Sequence, residues 1–342
     1  PELCLTGASC GSLFYNDTLL GGAMDGLSNI LKETENSDIV AIVGMPIMAN
    51  GKLFSCAVVI NGGSVLGVVP RYEKSDIFSS DIDLIDTISL FDSVVPFGAD
   101  LIFRCADFED FSFGCAVGEN SDIFACPVIM AKTCASAETV GKSDIRRTLI
   151  KADSYKNVCG LIYSSAGEGE STTDLVYSGH LIISEKGKIL KENAPLDDTS
   201  LVLSEIDVSL LSSERAKIDY FIEDYRQIFF EVGLCETALT REIRKNPFIP
   251  ENKQELSSRI ETALSIQSSG LKKRIEHTNA KSVVIGISGG LDSTLALLVC
   301  AKAFDELKRN RSDIIAVTMP CFGTTSRTKS NAEILCNLLG VT

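Results

Sequence analysis

The sequence lacks tryptophan, and its only two histidines, His180 and His277, stand alone without a catalytic partner nearby in sequence. Its twelve cysteines include no Cys-x-x-Cys pair. These absences exclude a zinc site built from clustered cysteine and histidine. No apolar run approaches the roughly 18 residues of a membrane helix, and no secretory signal is present, so we expect no membrane association. The scattered cysteines then indicate reduced thiols and a cytoplasmic location.

Basic residues are also scarce, with 32 Lys and Arg against 46 Asp and Glu and a formal net charge of −14. Nucleic-acid binding needs clustered positive charge, so this composition excludes nucleic acid as a partner. Small anionic ligands remain possible, because backbone amides and metal ions hold phosphate without net basic charge. The 342 residues, 45% of them hydrophobic, are enough for about two domains with their own cores.

The first half of the chain alternates short β-branched runs with helical patterns. Asn61-Gly62-Gly63 separates two such runs and predicts a hairpin. Recurring leucines predict a helix over 17–33, and a second helix is predicted over 143–157 with Ser143 as its N-cap. This pattern predicts a sandwich of sheets flanked by helices. The predicted strands are 38–46, 53–60, 64–70, 100–105, 111–117, 124–131, 158–164, 174–184 and 188–191.

After residue 205 the pattern changes, and we predict three parts: a domain over 1–205, a charged linker over 206–251 and a second domain over 252–342. Strand and helix alternate in the second domain, which predicts a parallel α/β fold. The first residue is Pro rather than Met, and the last follows a helix-like segment, so we interpret the chain as a fragment cut at both ends. The second-domain elements are predicted at 252–276, 282–287, 292–304, 313–319 and 328–339.

The stretch Ser-Gly-Gly-Leu-Asp-Ser at 288–293 joins a predicted strand to a helix that is apolar nearly all round. Free amides at such a helix N-terminus, with glycines that allow close backbone approach, form an anion cradle. Ser288 and Ser293 add hydroxyl donors. Asp292 would repel a phosphate unless a cation lay between them, so the loop implies a divalent metal, most readily Mg²⁺. The residues of this predicted phosphate-binding loop are Gly286, Ile287, Ser288, Gly289, Gly290, Leu291, Asp292 and Ser293.

The loop can be compared with three other kinds of strand-to-helix connection. A dinucleotide fingerprint would need glycine at 288 and 291, where Ser and Leu stand. A Walker loop would need a lysine after the glycines, and none follows. An ordinary strand-to-helix turn with serine caps stays open at this point.

"SGGLDS" resembles the pyrophosphate loop of the ATP pyrophosphatases. With "NPFIP", "GLKKRIE" and the segment from Met319 to Val341, it is similar to the glutamine-dependent NAD synthetases. The resemblance implies that ATP adenylylates the nicotinate carboxylate of deamido-NAD and that ammonia then displaces AMP to give NAD. It also implies ATP and Mg²⁺ as cofactors, Asp292 as a metal ligand, Met319 beside the adenine and a homo-oligomer.

The first half resembles the nitrilase-type glutaminase domain of the same family, most specifically in "GEGESTTD" at 167–174. Glu2 matches the family's catalytic Glu, and Arg71 stands in place of its Lys. In "FGCAVGE", Gly118 stands in place of the nucleophilic Cys, so no thioester can form there. Of the family's glutamine contacts, Ser136 matches and Lys142 replaces an Arg. Cys115, three residues earlier in its strand, is predicted to face the opposite side.

The resemblance therefore implies a nitrilase-like αββα sandwich followed by the start of a Rossmann-like nucleotide-binding α/β domain. It implies an amide-forming ligase that uses glutamine or free ammonia. The missing thiol leaves two alternatives, an ammonia-dependent synthetase or a non-catalytic relic with a pseudoglutaminase domain. A simple amidase of the nitrilase class is disfavoured by the same missing nucleophile.

Overall fold

The chain forms two compact units, Pro1–Arg241 and Glu242–Thr342. The computed structural model describes residues 1–73, 75–81, 85–119, 127–199, 201–218, 225–234, 238–243, 245–319 and 326–342, with the side chains of 326–330 left aside. Within these ranges, no helix combines the length and the apolar character that crossing a membrane requires.

The first unit contains helical segments, two larger sheets and a two-stranded hairpin. Its helices are α1 (Asp17–Thr34), α2 (Lys142–Lys156) and α3 (Val208–Arg215), preceded by a 3-10 helix at Gly11–Tyr15. Its strands are β1 (Val40–Ala49), β2 (Lys52–Asn61), β3 (Ser64–Pro70), β4 (Thr87–Leu90), β5 (Ser93–Pro96), β6 (Leu101–Cys105), β7 (Ser112–Val117), β8 (Ile129–Cys134), β9 (Gly160–Ser165), β10 (Leu181–Glu185), β11 (Lys188–Glu192) and β12 (Arg226–Phe230).

The first sheet is an antiparallel meander of β1, β2 and β3. Gly62 and Gly63 both have positive φ in the turn between β2 and β3, as the hairpin prediction requires. The sheet is buried on both faces. Met45 and Phe54 face α1, where they pack with Leu27 and its neighbours. Ala57 and Val59, on the other face of β2, pack against the second sheet.

The second sheet is mixed and has the order β11-β10-β9-β8-β7-β6-β12. Its centre is parallel, since β7 pairs with β8 and β8 with β9 in the same direction. Phe103 and Phe113 stack on its inner face with ring centroids 4.8 Å apart. Ile150 of α2 covers the outer face against Leu161 and Ile182. The layers therefore run helix, sheet, sheet, helix, which confirms the predicted αββα sandwich.

The second unit is built from α4 (Lys253–Thr278), β13 (Val283–Gly286), α5 (Leu291–Glu306), β14 (Ile314–Val317) and α6 (Ser326–Leu339), with a 3-10 helix at Arg311–Asp313. β13 and β14 pair in parallel on either side of α5 in sequence. Phe304 and Leu297 of α5 are fully buried in this core. The predicted order of strand, helix, strand and helix is observed.

Several predicted boundaries differ from the structure. α2 begins at Lys142, and its N-cap is Gly141 with φ +83° rather than Ser143. The strand predicted over 174–184 is confined to β10, and that over 124–131 lies partly outside the described residues. The β4–β5 hairpin was not predicted, because its strands have only four residues each.

The segment predicted as a linker over 206–251 is partly built into the first unit. Leu211 of α3 is fully buried. β12 pairs in parallel with β6, and Arg226 at its start donates to both carboxylate oxygens of Asp100 at 2.7 and 2.6 Å. Five residues with mixed polarity gave too short a pattern to identify a strand from sequence.

Replacing Phe230 with alanine tests whether β12 belongs to the fold. Phe230 is 3% exposed and packs against Phe113 with centroids 5.4 Å apart, whereas the neighbouring Phe229 is 64% exposed. Phe230→Ala is expected to lower the free energy of unfolding of the first unit by about 3–5 kcal/mol. Phe229→Ala, the matched control, should cost less than about 1 kcal/mol. Urea denaturation followed by circular dichroism measures both free energies of unfolding. Equal small losses in the two variants would indicate that this segment is a linker and not part of the folded unit.

Candidate functional sites

Glu2 is held at the edge of the first unit by close backbone packing. Its N–H donates to the Cys134 carbonyl at 3.3 Å, and the N–H of Leu5 donates to the Gly44 carbonyl at 3.2 Å. A Cβ at Gly44 would lie 2.1 Å from the Pro1 carbonyl oxygen. The segment that carries Glu2 can therefore cross β1 this closely only because residue 44 has no side chain.

The Glu2 carboxylate is 2% exposed and accepts three hydrogen bonds. Ser55 Oγ donates at 2.8 Å and Arg71 NH1 at 3.2 Å to Oε1, while the Ala135 N–H donates at 3.2 Å to Oε2. Burial raises the pKa of this carboxyl above its ordinary value, and the Arg71 guanidinium partly offsets the rise. Arg71 is itself divided between two carboxylates, because its NH2 lies 3.2 Å from Glu73.

Gly118 follows β7 directly and lies beside the end of β8. Its N–H donates to the Thr133 carbonyl at 2.9 Å, and its carbonyl accepts from Cys134 Sγ at 3.3 Å. Since Glu2 contacts the backbone of Cys134 and Ala135, Glu2 and Gly118 flank the same strand end. The φ of Gly118 is +103°, a conformation that residues with a side chain rarely adopt.

The two predicted glutamine contacts, Ser136 and Lys142, are joined by a residue that the sequence analysis did not single out. Glu119 Oε2 accepts from Ser136 Oγ at 2.6 Å and lies 2.9 Å from Lys142 Nζ. Burial raises the pKa of Glu119, but the hydrogen bonds from Ser136 and Lys142 outweigh it and hold the pKa below its ordinary value. Glu119 could have been singled out from sequence, because it directly follows Gly118 in "FGCAVGE", where the family has Glu after the nucleophile.

Two thiols near Gly118 do not replace the missing nucleophile. Cys115 lies within β7 and packs in the hydrophobic core between the two sheets. Cys134 is fully buried and donates to Gly118. Burial raises the pKa of each thiol to about 12, so both are protonated at neutral pH, whereas the attacking species is a thiolate.

Glu170 clamps the "GEGESTTD" loop onto the segment that follows Glu2. Its carboxylate accepts from the Ala8 N–H at 2.7 Å, from the Ser9 N–H at 2.9 Å and from Ser9 Oγ at 2.6 Å. The N–H of Ser171 returns a bond to Ser9 Oγ at 2.8 Å. The contact of this loop with Ala8 was not predicted from sequence, because the two partners lie 162 residues apart.

The two histidines lie in different surroundings. His180 is fully buried, with Nδ1 2.9 Å from Arg146 NH1 and Nε2 3.3 Å from Glu192. Burial lowers its pKa. His277 lies exposed in the last turn of α4.

The glycine loop of the second unit connects β13 to the N-terminus of α5. The Ile287 N–H donates to the Val317 carbonyl at 2.8 Å, which fixes the loop on β14. Gly289 has φ +77°, and the Gly290 N–H donates to Ser288 Oγ at 3.3 Å. The hydroxyls of Ser288 and Ser293 lie 3.1 Å apart. Among the described residues, no side chain caps α5, which leaves its first-turn amides available to bind an anion.

The groups around this loop are exposed. Asp292 lies in the first turn of α5, Leu291 beside it is 89% exposed, and Met319 beyond β14 is 77% exposed. Further along the same helix, Leu297 and Phe304 are fully buried. Because β13 and β14 are parallel, the loop and Met319 follow the same end of the sheet.

Comparison with known proteins finds relatives that resemble the whole chain and others that resemble its last part. A family model described as NAD synthase matches residues 264–342. A glutamine-dependent NAD(+) synthetase of Mycobacterium leprae is 36% identical and covers 100% of this chain and 55% of its own. An NH(3)-dependent NAD(+) synthetase of Methanococcus aeolicus is 37% identical over 20% of this chain and 25% of its own.

One solved structure shares the fold over the whole chain. The crystal structure of a glutamine-dependent NAD(+) synthetase from Cytophaga hutchinsonii matches 100% of this chain and 57% of its own, with a TM-score of 0.54 and 19% identity. By fold, the chain is therefore an α/β protein of two units that resembles this structure. By sequence, the chain is similar over its whole length to glutamine-dependent NAD(+) synthetases, and its last part matches the NAD synthase family model. It spans about half the length of the curated relatives that it matches.

Replacing Arg71 with methionine tests the coupling at the first site. Arg71 lowers the pKa of Glu2 against the effect of burial, so Arg71→Met should raise that pKa further. A carboxyl ¹³C NMR titration measures the change. Lys52→Met, which removes an exposed cation paired with Asp81, is the control and should leave the Glu2 pKa unchanged. An unshifted or lowered Glu2 pKa in Arg71→Met would contradict the arrangement.

The same titration has a consequence for stability. The pKa of Glu2 is raised in the folded state, so the folded protein binds its proton more tightly than the unfolded chain. The stability due to that proton is fully present below the unfolded pKa and is lost as pH rises through the folded pKa.

Proposed function

We propose that this chain forms the amidase-like unit and the ATP-binding loop of an enzyme that amidates deamido-NAD to NAD. The observation that carries the proposal is the uncapped N-terminus of α5 behind a glycine loop with two hydroxyls. The NAD synthase family model covers the same loop. The substrates, a cytoplasmic location and assembly into a homo-oligomer are parts of the same proposal, drawn from the family.

The loop would bind the phosphates of ATP through the first-turn amides of α5 and the hydroxyls of Ser288 and Ser293. Met319, following the neighbouring strand, would contact the adenine. Ser288, Gly289 and Gly290 present backbone and hydroxyl groups but no positive charge. The negative charge of the phosphates therefore requires a cation, and this requirement supports Mg²⁺.

The residues present fit Mg²⁺. Asp292 is an exposed carboxylate at the mouth of the loop. No group of three His, Cys, Asp or Glu residues that could hold a metal occurs in the described ranges, so Asp292 is the single carboxylate that these ranges place at the loop. Mg²⁺ is commonly bound by one or two carboxylates together with substrate phosphates, which matches this single carboxylate. When bound, the ion would neutralise the phosphate charge that Asp292 otherwise repels.

In the proposed reaction, ATP first activates the carboxylate of deamido-NAD, and ammonia then forms the amide. An oxygen of the nicotinate carboxylate attacks the α-phosphorus of ATP, and pyrophosphate leaves with the electron pair of the broken P–O bond. Ammonia next attacks the activated carbonyl carbon, AMP departs, and the nitrogen loses a proton to give the amide. The loop residues contribute by holding the departing pyrophosphate, where negative charge develops.

The source of ammonia follows from the first unit. Gly118 offers no sulfur, and the described thiols beside it are buried and protonated. The Glu2 carboxylate is already bonded to three donors, and Arg71 is shared with Glu73. We propose that the enzyme takes ammonia from solution and that the first unit serves as a pseudoglutaminase. The relative from Methanococcus aeolicus, named NH(3)-dependent, resembles only the last part of this chain.

Asp292→Asn tests the ATP site, because its expected effect on ATP affinity is opposite with and without Mg²⁺. With Mg²⁺ present, the variant should bind ATP about tenfold more weakly, because a carboxylate ligand is lost. With EDTA in place of Mg²⁺, it should bind ATP as well as the natural chain or better, because a repulsive charge is removed. Asp305→Asn, at the opposite end of the same helix, is the control. Isothermal titration measures both, and an unchanged affinity with Mg²⁺ would contradict the proposed site.

A further inference from the structure

The segment 135–138, which directly follows β8, contacts both groups of side chains described for the first unit. The N–H of Ala135 donates to the Glu2 carboxylate at 3.2 Å, and Ser136 Oγ donates to the Glu119 carboxylate at 2.6 Å. The position of this segment therefore sets where Glu2 and Glu119 receive these donors. Any group that anchors the segment at its far end also positions the two carboxylates.

Glu138, the last residue of the segment, is anchored by a buried arginine of α2. Arg146 is 4% exposed, and its Nη1 donates to Glu138 Oε2 at 2.9 Å. Burial raises the pKa of Glu138, but hydrogen bonds from Ser178 and Arg146 outweigh it and hold the pKa below its ordinary value. Glu138 is therefore ionised at neutral pH. The Arg146 guanidinium also lies 5.5 Å from the ring centroid of Tyr163, a contact that helps to fix it in place.

The same Arg146 nitrogen also donates to His180, and this contact fixes the tautomer of the ring. Nη1 carries two hydrogens, and it lies 2.9 Å from His180 Nδ1. A guanidinium can only donate, so Nδ1 is the acceptor and the proton of the ring is on Nε2. Nε2 then donates to Glu192 Oε2 at 3.3 Å. His180 is fully buried, and these two contacts require it to be neutral.

Protonation would reverse the contact between His180 and Arg146. A charged imidazole donates from both nitrogens, so Nδ1–H would point at a guanidinium that can only donate. The charged groups that face the ring from the described elements are Arg146 and Arg147 of α2, Glu138 after β8 and Glu192 at the end of β11. These are two cations and two anions, so they balance only while the ring is neutral.

The surroundings of His180 favour the neutral ring in the folded protein. Burial lowers the pKa of His180, the hydrogen bond to Glu192 opposes this effect, and the charges of Arg146 and Arg147 add to it. The unfolded chain therefore binds the proton more tightly than the folded protein. The stability due to the neutral ring is present above the unfolded pKa and is lost as pH falls through the folded pKa.

We propose that His180 is a pH-dependent positioning residue for the Glu2 and Glu119 carboxylates. While neutral, it accepts from Arg146, which holds Glu138 and with it the segment 135–138. Once protonated, it repels Arg146, which moves away from the ring and carries the ion-paired Glu138 with it. The segment then withdraws its donors from both carboxylates. This response belongs to the first unit and needs no ATP, so it goes beyond the function proposed above and is tested separately from it.

Amide hydrogen exchange of the full chain, followed by NMR, measures the release of the segment. As pH falls through the midpoint of the His180 ring titration, the protection factor of the Ala135 N–H is expected to drop at least about tenfold, because its bond to Glu2 opens. The Gly160 N–H, which donates to the Val128 carbonyl at 2.9 Å, reports global unfolding and should keep its protection. A constant protection factor at Ala135, or an equal loss at Gly160, would overturn the proposal.

Replacing His180 with glutamine separates its titration from that of Glu2. The glutamine amide oxygen can accept from Arg146 but gains no proton over this pH range, so His180→Gln should keep the Ala135 protection at the lower pH. His277→Gln is the matched control, since His277 is the other histidine of the sequence, and it should show the same loss as the natural chain. A loss that persists in His180→Gln would assign it to another group and overturn the proposal.

Circular dichroism checks that each variant folds. If His180→Gln does not fold, the natural chain decides the question, because His277→Gln identifies the ring signal of His180 in a sequence with two histidines. The midpoint of the Ala135 transition should then coincide with that of the His180 ring. Two separate midpoints would overturn the proposal.

Discussion

The parallel pairing of β7, β8 and β9 is the constraint on which the first unit depends. Parallel strands end at the same edge of a sheet, and the register sets Val117 beside Thr133 and Cys134 beside Ser165. The residues that follow these three strands are therefore brought together although they are far apart in sequence. Gly118 and Ala135 both lie at this edge, and the first sheet adds Ser55 and Arg71 from the other side.

The two units present opposite kinds of site. In the first, the charged groups satisfy one another: Glu2 is bonded to Ser55, Arg71 and Ala135, and Arg71 also contacts Glu73. Such a network is stable without a ligand, and it lacks the sulfur that would begin amide hydrolysis. In the second unit the amides at the start of α5 have no side-chain cap and the acid beside them is exposed. This open site needs an anion and a cation from solution to be complete.

Much of this arrangement could be predicted from the sequence, because its signals are local. The hairpin at Gly62-Gly63 and the α/β order of the second unit follow from turn residues and apolar periodicity. The missing thiol at Gly118 was likewise visible from one motif. These features need only a few neighbouring residues to be recognised.

The features that sequence reasoning missed depend on distant partners. β12 is a five-residue strand whose partner β6 lies more than a hundred residues earlier. Glu170 bonds to Ala8 across 162 residues, and Glu119 gains its role only when the end of β8 brings Ser136 beside it.

The origin of the amide nitrogen in NAD shows whether the first unit releases ammonia from glutamine. The protein that contains this chain would be supplied with deamido-NAD, Mg²⁺ and ATP, together with glutamine labelled with ¹⁵N at its amide and unlabelled ammonium. Mass spectrometry of the NAD formed measures which nitrogen is incorporated. The account predicts unlabelled NAD from ammonium, and no NAD when glutamine is the only nitrogen source. NAD carrying ¹⁵N from glutamine at equal or greater yield would contradict it, because the first unit would then release ammonia without a thiol at position 118.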